Sequence, residues 1–591
     1  MRVAVRNHLR WIVGVCIGGV AAGVVFFAGC GGQEEWDQFW DKFREKGEQP
    51  APTPPVMNSR GKGLQGTIGQ LVTVDGLQMI QVSGYGLVTG LVDTGGSDGP
   101  EIVKQYLVKE IRRNQGIGEP GMPAEEVIGS RDTAMVAVTG RIPAGAKKGD
   151  RFDVGIEALG TQTKSLVGGR LVLCDLKLFA ETPQGIIEGK TLATATGPVF
   201  VSPFDRAGRP ASKVDLRRGM VLSGGITKEP RRIRLMLTDP RYSVAEQIEN
   251  RINSRYAGLE PIADATSPGS IDLDLPVSAM EQKRLFLERV MHTTLNGNTA
   301  FLEERARDLC DELVDLEPEY EVIGLALEAI GKIGLPMVRK NYASEQPGIS
   351  FYAGRTGLRL GDREGMRVVA RHARNPRSPY RKQAIDELGW AIEMSAAGEA
   401  LRKVLDDEDT DIRIRAYLAL RRHRNPAIET RVLDEDNLIL DLIDTTGPYL
   451  IYVQRVGAPR IAIFGKRMRC NPPALFPDID YREDGREYFT TLTAELGDDR
   501  MTVIYRNRRS GLQSPRLRAP LIVADLVRFL GDRFSLDDDK NPTGLAVPYS
   551  EVVDILGALC KRQTIPADFV TDEMITESED ESGRERRETE Y

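Results

Sequence analysis

Residues 81–96 read QVSGYGLVTGLVDTGG. Valine, leucine and threonine make this a strand-forming run, yet Gly84, Gly86 and Gly90 punctuate it, and glycine inside a strand pattern marks close backbone approach or positive φ. The segment from Gly84 to Gly90 comes near a dinucleotide fingerprint, but it has one residue too many before the third glycine. A βαβ continuation with an acidic residue at the right distance is also missing. The glycines therefore predict backbone geometry beside a strand and no cofactor.

Directly behind stands Gly95-Gly96-Ser97-Asp98-Gly99, which satisfies the G-x-S-x-G pattern of a nucleophile elbow. An elbow needs a tight strand-to-helix turn and a histidine to take the serine proton. Here Pro100 follows at once, and the histidines beyond the N-terminal segment are His292, His372 and His423. All three lie in a helical region, and His372 and His423 sit among arginines, where solvated faces are expected. The stretch reads as a glycine-rich loop. With no HExxH, no EF-hand loop and no GxxxxGK elsewhere, the sequence predicts a protein that is not an enzyme and holds no metal.

Working outward, residues 63–277 alternate short β-branched runs, such as Leu71 to Val74, Ala134 to Val138 and Leu171 to Leu173, with amphipathic helices at Glu101 to Arg113 and Val244 to Arg255. That is an α+β domain with considerable sheet. Over residues 278–430 the apolar period changes to 3.6 and nearly everything reads as helix. The segments around Ala353, Ala384 and Ala416 look alike, 31 and 32 residues apart, each with a small alanine inside and flanking arginines. Such a spacing predicts stacked helix pairs of the HEAT type. Strands return in residues 431–570, at Leu438 to Leu442, Tyr449 to Val453, Arg460 to Phe464, Tyr488 to Leu492 and Met501 to Tyr505, followed by helices at Leu521 to Leu530 and Ser550 to Cys560. Residues 571–591 are acidic and polar and read as disordered.

At the other end, Arg2, Arg6 and Arg10 precede an apolar run from Trp11 to Phe27, which closes on Ala28-Gly29-Cys30. Small residues before a cysteine are the mark of a lipoprotein signal, so residues 1–29 read as a signal peptide and Cys30 as the lipidated residue. A plain membrane anchor would have no need of the Ala-Gly-Cys ending. Gly31 and Gly32 follow without an aspartate that would favour the inner membrane, so the expected location is the periplasmic face of the outer membrane. Residues 30–62 form a spacer; Trp36, Phe39, Trp40 and Phe43 fall on one helical face, and Gln49 to Pro55 is a stiff linker. With 79 basic and 86 acidic residues and no long basic stripe interleaved with aromatics, nucleic acid is not an expected partner. Beyond Cys16 and Cys30, only Cys174, Cys310, Cys470 and Cys560 occur, too dispersed for a disulfide scaffold or a clustered metal site.

The opening stretch carries one thing more. QVSGYGLVTGLVDTGG resembles the signature near the mature N-terminus of the flagellar P-ring family. It is followed in order by AMVAVTGRIPAGAKKGDRFDV (134–154), with Pro143, Gly149 and Asp150, and by KSLVGGRLVLCDLK (164–177), with Lys164, Ser165, Leu166, Gly168 and Gly169. Tyr85 stands between the first glycine pair. Arg218-Gly219-Met220, Gly224-Gly225-Ile226 and the helix SVAEQIENRINSRY (243–256) extend the likeness over about 64–276, and PYSEVVDILGALCKRQTIPADFV (548–570) is similar to the family's closing helix. The resemblance implies a strand-rich α+β body interrupted by the all-α HEAT-like segment. It also implies a homo-oligomeric ring in the periplasm around the flagellar rod, beside the L-ring protein and peptidoglycan, and a C-terminal cysteine brace for which Cys470 and Cys560 are the candidates. A lipid anchor and a helical insertion both depart from the family pattern. A cell-envelope scaffold lipoprotein that serves no flagellum, with the repeats binding another envelope protein, therefore stands as the alternative.

Overall fold

The computed structural model describes residues 64–572 apart from 114–122, 183–184, 205–213, 257–259, 277–278, 281, 316–317, 393, 435–437, 478–487, 508–510 and 537–541. Every described residue belongs to one compact unit, Ser59–Tyr591. The expected signal peptide, Cys30, the aromatic face from Trp36 to Phe43 and most of the acidic tail lie outside the described residues. Among the described residues no helix is long and apolar enough to cross a membrane.

The first part of the body contains β1 (Val72–Asp75), β2 (Ile80–Thr89), α1 (Glu101–Arg113), α2 (Ala124–Gly129), β3 (Thr133–Ile142), β4 (Arg151–Ala158), β5 (Arg170–Thr182), β6 (Gly185–Pro198), β7 (Arg218–Thr227), β8 (Ile233–Leu237), α3 (Tyr242–Tyr256), β9 (Ala263–Ser267) and β10 (Ser270–Leu273). Strands β2-β3-β4-β7-β6-β5 close into a barrel. Each barrel strand alternates inward and outward residues, so Val82, Val88, Val136, Val138, Val154, Ile156, Leu171 and Val221 fill the interior. β2 and β3 pair without a break from Ile80↔Ile142 to Thr89↔Thr133. A second antiparallel sheet, β1-β8-β10-β9, is covered by α3, whose Ala245, Ile248 and Ile252 are buried at helical spacing.

The helical segment runs through α4 (Lys283–Met291), α5 (Thr299–Glu312), α6 (Tyr320–Ile330), α7 (Leu335–Val338), α8 (Pro347–Arg359), α9 (Arg363–Arg374), α10 (Arg381–Trp390), α11 (Ser395–Arg402) and α12 (Thr410–Arg422). Helix starts follow capping chemistry: the Asn298 carboxamide accepts from the backbone of Ala300 and Phe301, and the Asp409 carboxylate from Asp411 and Ile412. Gly361, at φ 84°, turns the chain between α8 and α9. Ala353, Ala384 and Ala416 are fully buried, one in each of α8, α10 and α12, where small side chains let neighbouring helices approach. Ion pairs cross-link this row: Arg359 of α8 reaches Glu328 of α6 at 2.8 Å and also Glu387 of α10, and Arg415 of α12 reaches Asp386 of α10 at 3.1 Å.

His372, expected on a solvated face, is buried instead. Its ring lies between the hydroxyls of Ser350 and Ser378, at 3.0 and 2.8 Å, and burial holds its pKa below the usual histidine value. Arg371 and Arg374 beside it point to solvent, but position 372 belongs with Val368, Val369 and Ala373 on the packed face. His423 is half-buried, its Nε2 at 2.8 Å from the Leu388 carbonyl oxygen.

The last part contains β11 (Ile428–Asp434), β12 (Leu438–Ile443), β13 (Leu450–Val453), β14 (Arg460–Phe464), β15 (Ala474–Phe476), β16 (Thr490–Ala494), β17 (Arg500–Tyr505), β18 (Leu517–Pro520), α13 (Val523–Gly531), β19 (Ser535–Leu536), β20 (Pro542–Gly544), α14 (Tyr549–Lys561) and β21 (Asp568–Thr571). In the mixed sheet β11-β12-β14-β13-β21 the central strands β12, β14 and β13 are buried on both faces. Period-two alternation divides its side chains: Ala462 and Phe464 pack with Ala416 and Tyr417 of α12, while Ile461 and Ile463 pack with α13 and α14. That second cluster also takes in Phe200, Phe204 and Leu222 from the first part of the body. Cys470 and Cys560 sit in the same cluster as free thiols, each pushed up to about 12 by burial, with the neighbouring Cys470 adding to the shift at Cys560.

Strand β21 lies beside β13 in parallel, and the chain is clamped just beyond it. The fully buried Arg455 donates from its backbone N–H to Asp572 Oδ1 at 2.6 Å and from Nε to the Asp572 carbonyl at 2.8 Å. Burial pushes the Asp572 carboxyl up to about 6 in spite of Arg455. Because the folded pKa exceeds the ordinary value of about 3.9, this group stabilises the fold most below pH ~4, and that contribution is lost as pH rises through ~6. Asp572→Asn is expected to flatten the fall in urea midpoint between pH 4 and 7 relative to the parent chain. Identical slopes would show that Asp572 does not titrate there.

Candidate functional site at the barrel closure

The motif glycines meet where β5 returns to β2 and the barrel closes. The β2–β5 pairing jumps from Ser83↔Lys177 to Val88↔Leu171, and Gly84 and Gly86 occupy the irregular interval. A Cβ on Gly84 would stand 2.2 Å from the Asp175 carbonyl oxygen, and one on Gly86 would stand 2.7 Å from Leu171 Cδ1. Only bare backbone lets β5 press this closely. The Cys174 thiol donates to the Tyr85 carbonyl at 3.1 Å in the same interval, and burial raises its pKa far above the ordinary thiol value. The Tyr85 ring turns outward and meets Tyr106 of α1 edge-on at 6.2 Å, with Lys177 Nζ 5.5 Å from the Tyr106 centroid.

At the end of β2 the chain turns through Gly90 at φ 80°, and Val92 and Asp93 also hold positive φ. This loop is stitched to the third motif. Thr94 Oγ1 donates to the carbonyls of Leu91 at 2.6 Å and Ser165 at 2.9 Å, and the Lys164 N–H donates back to Thr94 at 2.8 Å. Leu166 is fully buried, Gly168 takes φ 75°, and a Cβ on Gly169 would meet Val88 Cγ1 at 2.4 Å and Leu91 Cδ2 at 2.6 Å. The first and third motifs thus form one packed unit.

The second motif lies elsewhere. Pro143 to Asp150 turn the chain from β3 into β4 beside Ile142, which pairs with Ile80 at the opposite end of β2. A ten-residue strand spans about 30 Å. Gly149, at φ 93°, donates to the Thr227 carbonyl at 2.8 Å, the Asp150 carbonyl accepts from Thr227 at 3.0 Å, and the Asp150 carboxylate caps the Lys147 N–H at 2.8 Å. Pro143 accepts from Ala146. These residues tie β4 to β7 and present no converging functional groups.

The elbow-like stretch is a pinned loop. Gly95 and Gly96 donate to the carbonyls of Arg131 and Thr133, and Asp98 accepts from the Thr161 N–H and hydroxyl, both at 2.6 Å, and from the Gln162 N–H at 2.9 Å. Burial opposes ionisation of Asp98, but these donors hold its pKa below the usual carboxylate range. The described histidines all make their bonds within the helical segment, so none supplies a base to Ser97.

A cavity of about 210 Å³ opens where the two stitched motifs meet the C-terminal part. Gly90, Thr94, Lys164 and Ser165 line one side, and Phe489, Ser550, Glu551 and Asp554 the other. Glu551 accepts from the Phe489 N–H at 3.1 Å, and the Ser550 hydroxyl is buried with no hydrogen-bond partner among the described residues. The α14 contribution was invisible in the sequence, because Ser550, Glu551 and Asp554 read as the solvated face of an amphipathic helix, whereas the fold buries them. Among the described residues no group of three or more His, Cys, Asp or Glu side chains could hold a metal. The arrangement can join the barrel to a helix; it offers no nucleophile with its base.

Residues 67–301 match the profile of the family described as flagellar P-ring protein. The match contains all three motifs and runs past the expected boundary at 277 into α5. The chain is 31% identical to the flagellar P-ring protein of Geobacter metallireducens over 219 residues, which is 35% of this chain and 56% of that protein. It is 29% identical to that of Aquifex aeolicus over 218 residues, again 35% and 56%. With the flagellar P-ring protein of Anaeromyxobacter dehalogenans it shares 28% over 310 residues, half of this chain and 76% of that protein. The chain spans little more than half the length of the first two relatives.

Proposed function

We propose, from the premise that residues 67–301 are a flagellar P-ring family segment, that this chain is a structural subunit of a P-ring-type assembly in the periplasm, supporting the rod and motility. The observation that carries the reading is the use of the shared motif. Its glycines and turn residues close and stitch a barrel, as a load-bearing ring requires, and they gather no reacting groups. A ring is built from one heterologous contact repeated until it closes. The rod, the L-ring protein, peptidoglycan and further copies of the chain are the partners this reading assigns. Basal bodies extracted with detergent should retain the protein through salt washing; its complete loss into the soluble fraction would count against the assignment.

The same reading takes Cys30 as the acylated residue, which tethers the protein to the periplasmic face of the outer membrane. Each buried methylene contributes about 0.8 kcal/mol, so several chains hold firmly. Cys30→Ser should move the protein from the membrane fraction to the soluble one, and unchanged fractionation would refute lipidation. Residues 278–430 serve as a HEAT-like arm, supported by the alanine-centred helices α8, α10 and α12, and residues 431–570 complete the body, supported by the apolar cluster shared with Phe200 and Leu222. Cys470 and Cys560, neighbours in that cluster, form an oxidisable brace; non-reduced peptides with both thiols free would remove it. The helical arm also favours the second reading, an envelope scaffold with no flagellar role, because such bulk must stand outside any ring contact.

A further inference from the structure

Arginines of helices α8, α10 and α12 reach carboxylates on neighbouring segments, although in α12 Arg413 and Arg421 bond the Leu405 carbonyl and Gln454 instead. Arg355 holds Glu321 at 2.7 Å, Arg359 joins Glu328 and Glu387, Arg381 holds Asp407, and Arg415 holds Asp386. Helix α9 differs. Arg363, Arg367, Arg371 and Arg374 are all exposed, at steps of four, four and three residues, and exposed Arg377 follows. That spacing lays the four on one strip of the helix, opposite Gly365, Val369 and His372 of its buried face. Only Arg367 has a carboxylate there, Glu364 of its own first turn, and Arg374 Nε donates to the Ala370 carbonyl at 3.1 Å. Among the described residues no ion pair is formed by Arg363, Arg371 or Arg377. Like charges one helical turn apart repel, so the strip calls for an anionic occupant, and in a chain of net charge −7 it stands out.

We propose that the occupant is the chain's own acidic segment, residues 573–591, which docks on the arginine strip of α9. Glu577-Ser578-Glu579-Asp580-Glu581 places four carboxylates within five residues. The described chain reaches Asp572 directly after β21, whose Val570 packs against the same apolar cluster that holds Met366 and Val369 of α9. The acidic run begins five residues beyond Asp572 and ends nine beyond it, and at ~3.3–3.6 Å per extended residue it can reach about 17 to 30 Å. Attachment to the same chain gives the segment a high effective concentration, so modest affinity suffices. Docking neutralises the strip and hides it from other polyanions. The docking does not depend on the ring reading.

Two measurements on the full chain test it. In the first, Arg371→Lys places a cross-linkable amine on the strip, and carbodiimide treatment followed by mass spectrometry should join position 371 to carboxylates within 577–581. In the second, R363Q/R367Q/R371Q, changed only on an exposed face, should raise the rate of tryptic cleavage after Arg584, Arg586 and Arg587 by about tenfold, with circular dichroism reporting an intact fold. A unit of about 1.4 kcal/mol corresponds to each tenfold change. Absence of the cross-link, or equal cleavage rates, overturns the proposal. So does binding of the parent chain to phosphatidylglycerol vesicles that the triple variant loses, because the strip would then be open to an anionic lipid surface.

Discussion

Gly84→Ala is expected to prevent stable closure of the barrel, with a loss of more than about 3 kcal/mol or no folded soluble protein at all. The new methyl would lie 2.2 Å from the Asp175 carbonyl oxygen, a backbone atom that cannot rotate away. Overpacking in a close-packed interior usually costs about 1–3 kcal/mol, and the cost rises where backbone must move. β5 would have to separate from β2 along the line that makes the barrel a barrel. Gly129→Ala is the matched control. Gly129 ends α2, and a methyl added there would have nothing within 4 Å, so alanine should be neutral or stabilising by up to about 1 kcal/mol. Urea denaturation of both variants decides the matter; similar midpoints would mean that the β2–β5 contact is not tight.

The second large effect belongs to Arg359→Met. Arg359 binds Glu328, which is 1% exposed, and Glu387, which is 12% exposed, so one guanidinium satisfies carboxylates on two neighbouring helices. Removing it leaves Glu387 without its guanidinium and Glu328 with only Arg289, at 3.7 Å, in a poorly solvated place, and breaking a buried pair in this way typically costs about 3–5 kcal/mol. The net worth of the cluster is smaller than that figure, because burying the ions cost free energy in the first place. Adding Glu328→Leu and Glu387→Leu to Arg359→Met should therefore restore much of the lost stability. If the single variant unfolds at the parent's urea concentration, the cluster does not hold the helical row together.

Much of this architecture could be read locally. The helices Glu101–Arg113 and Tyr242–Tyr256 and the strand Arg460–Phe464 carry their own periodicity, and alanine spacing located α8, α10 and α12. Barrel closure could not be read in this way, because β2 and β5 are joined by contacts across some ninety residues that no local pattern encodes. For the same reason the glycines of the opening stretch announced a close approach without naming β5 as its partner. His372 misled because its neighbours are arginines, whereas burial follows the helical phase of Val368, Val369 and Ala373. β21 was hidden for another reason: a four-residue strand that pairs in parallel beside β13 carries no turn signal of its own. The arginine strip on α9 was present in the letters, but the lack of carboxylate partners at Arg363 and Arg371 emerged only from the packing of neighbouring helices.

Whether the chain is a subunit of a P-ring-type assembly is tested most directly by electron cryotomography of basal bodies in cells deleted for it. Ring density around the rod at the peptidoglycan level should disappear and motility should be lost, and the parent chain should restore both while Gly84→Ala restores neither. A motile deletion strain with the ring density intact would contradict the assignment.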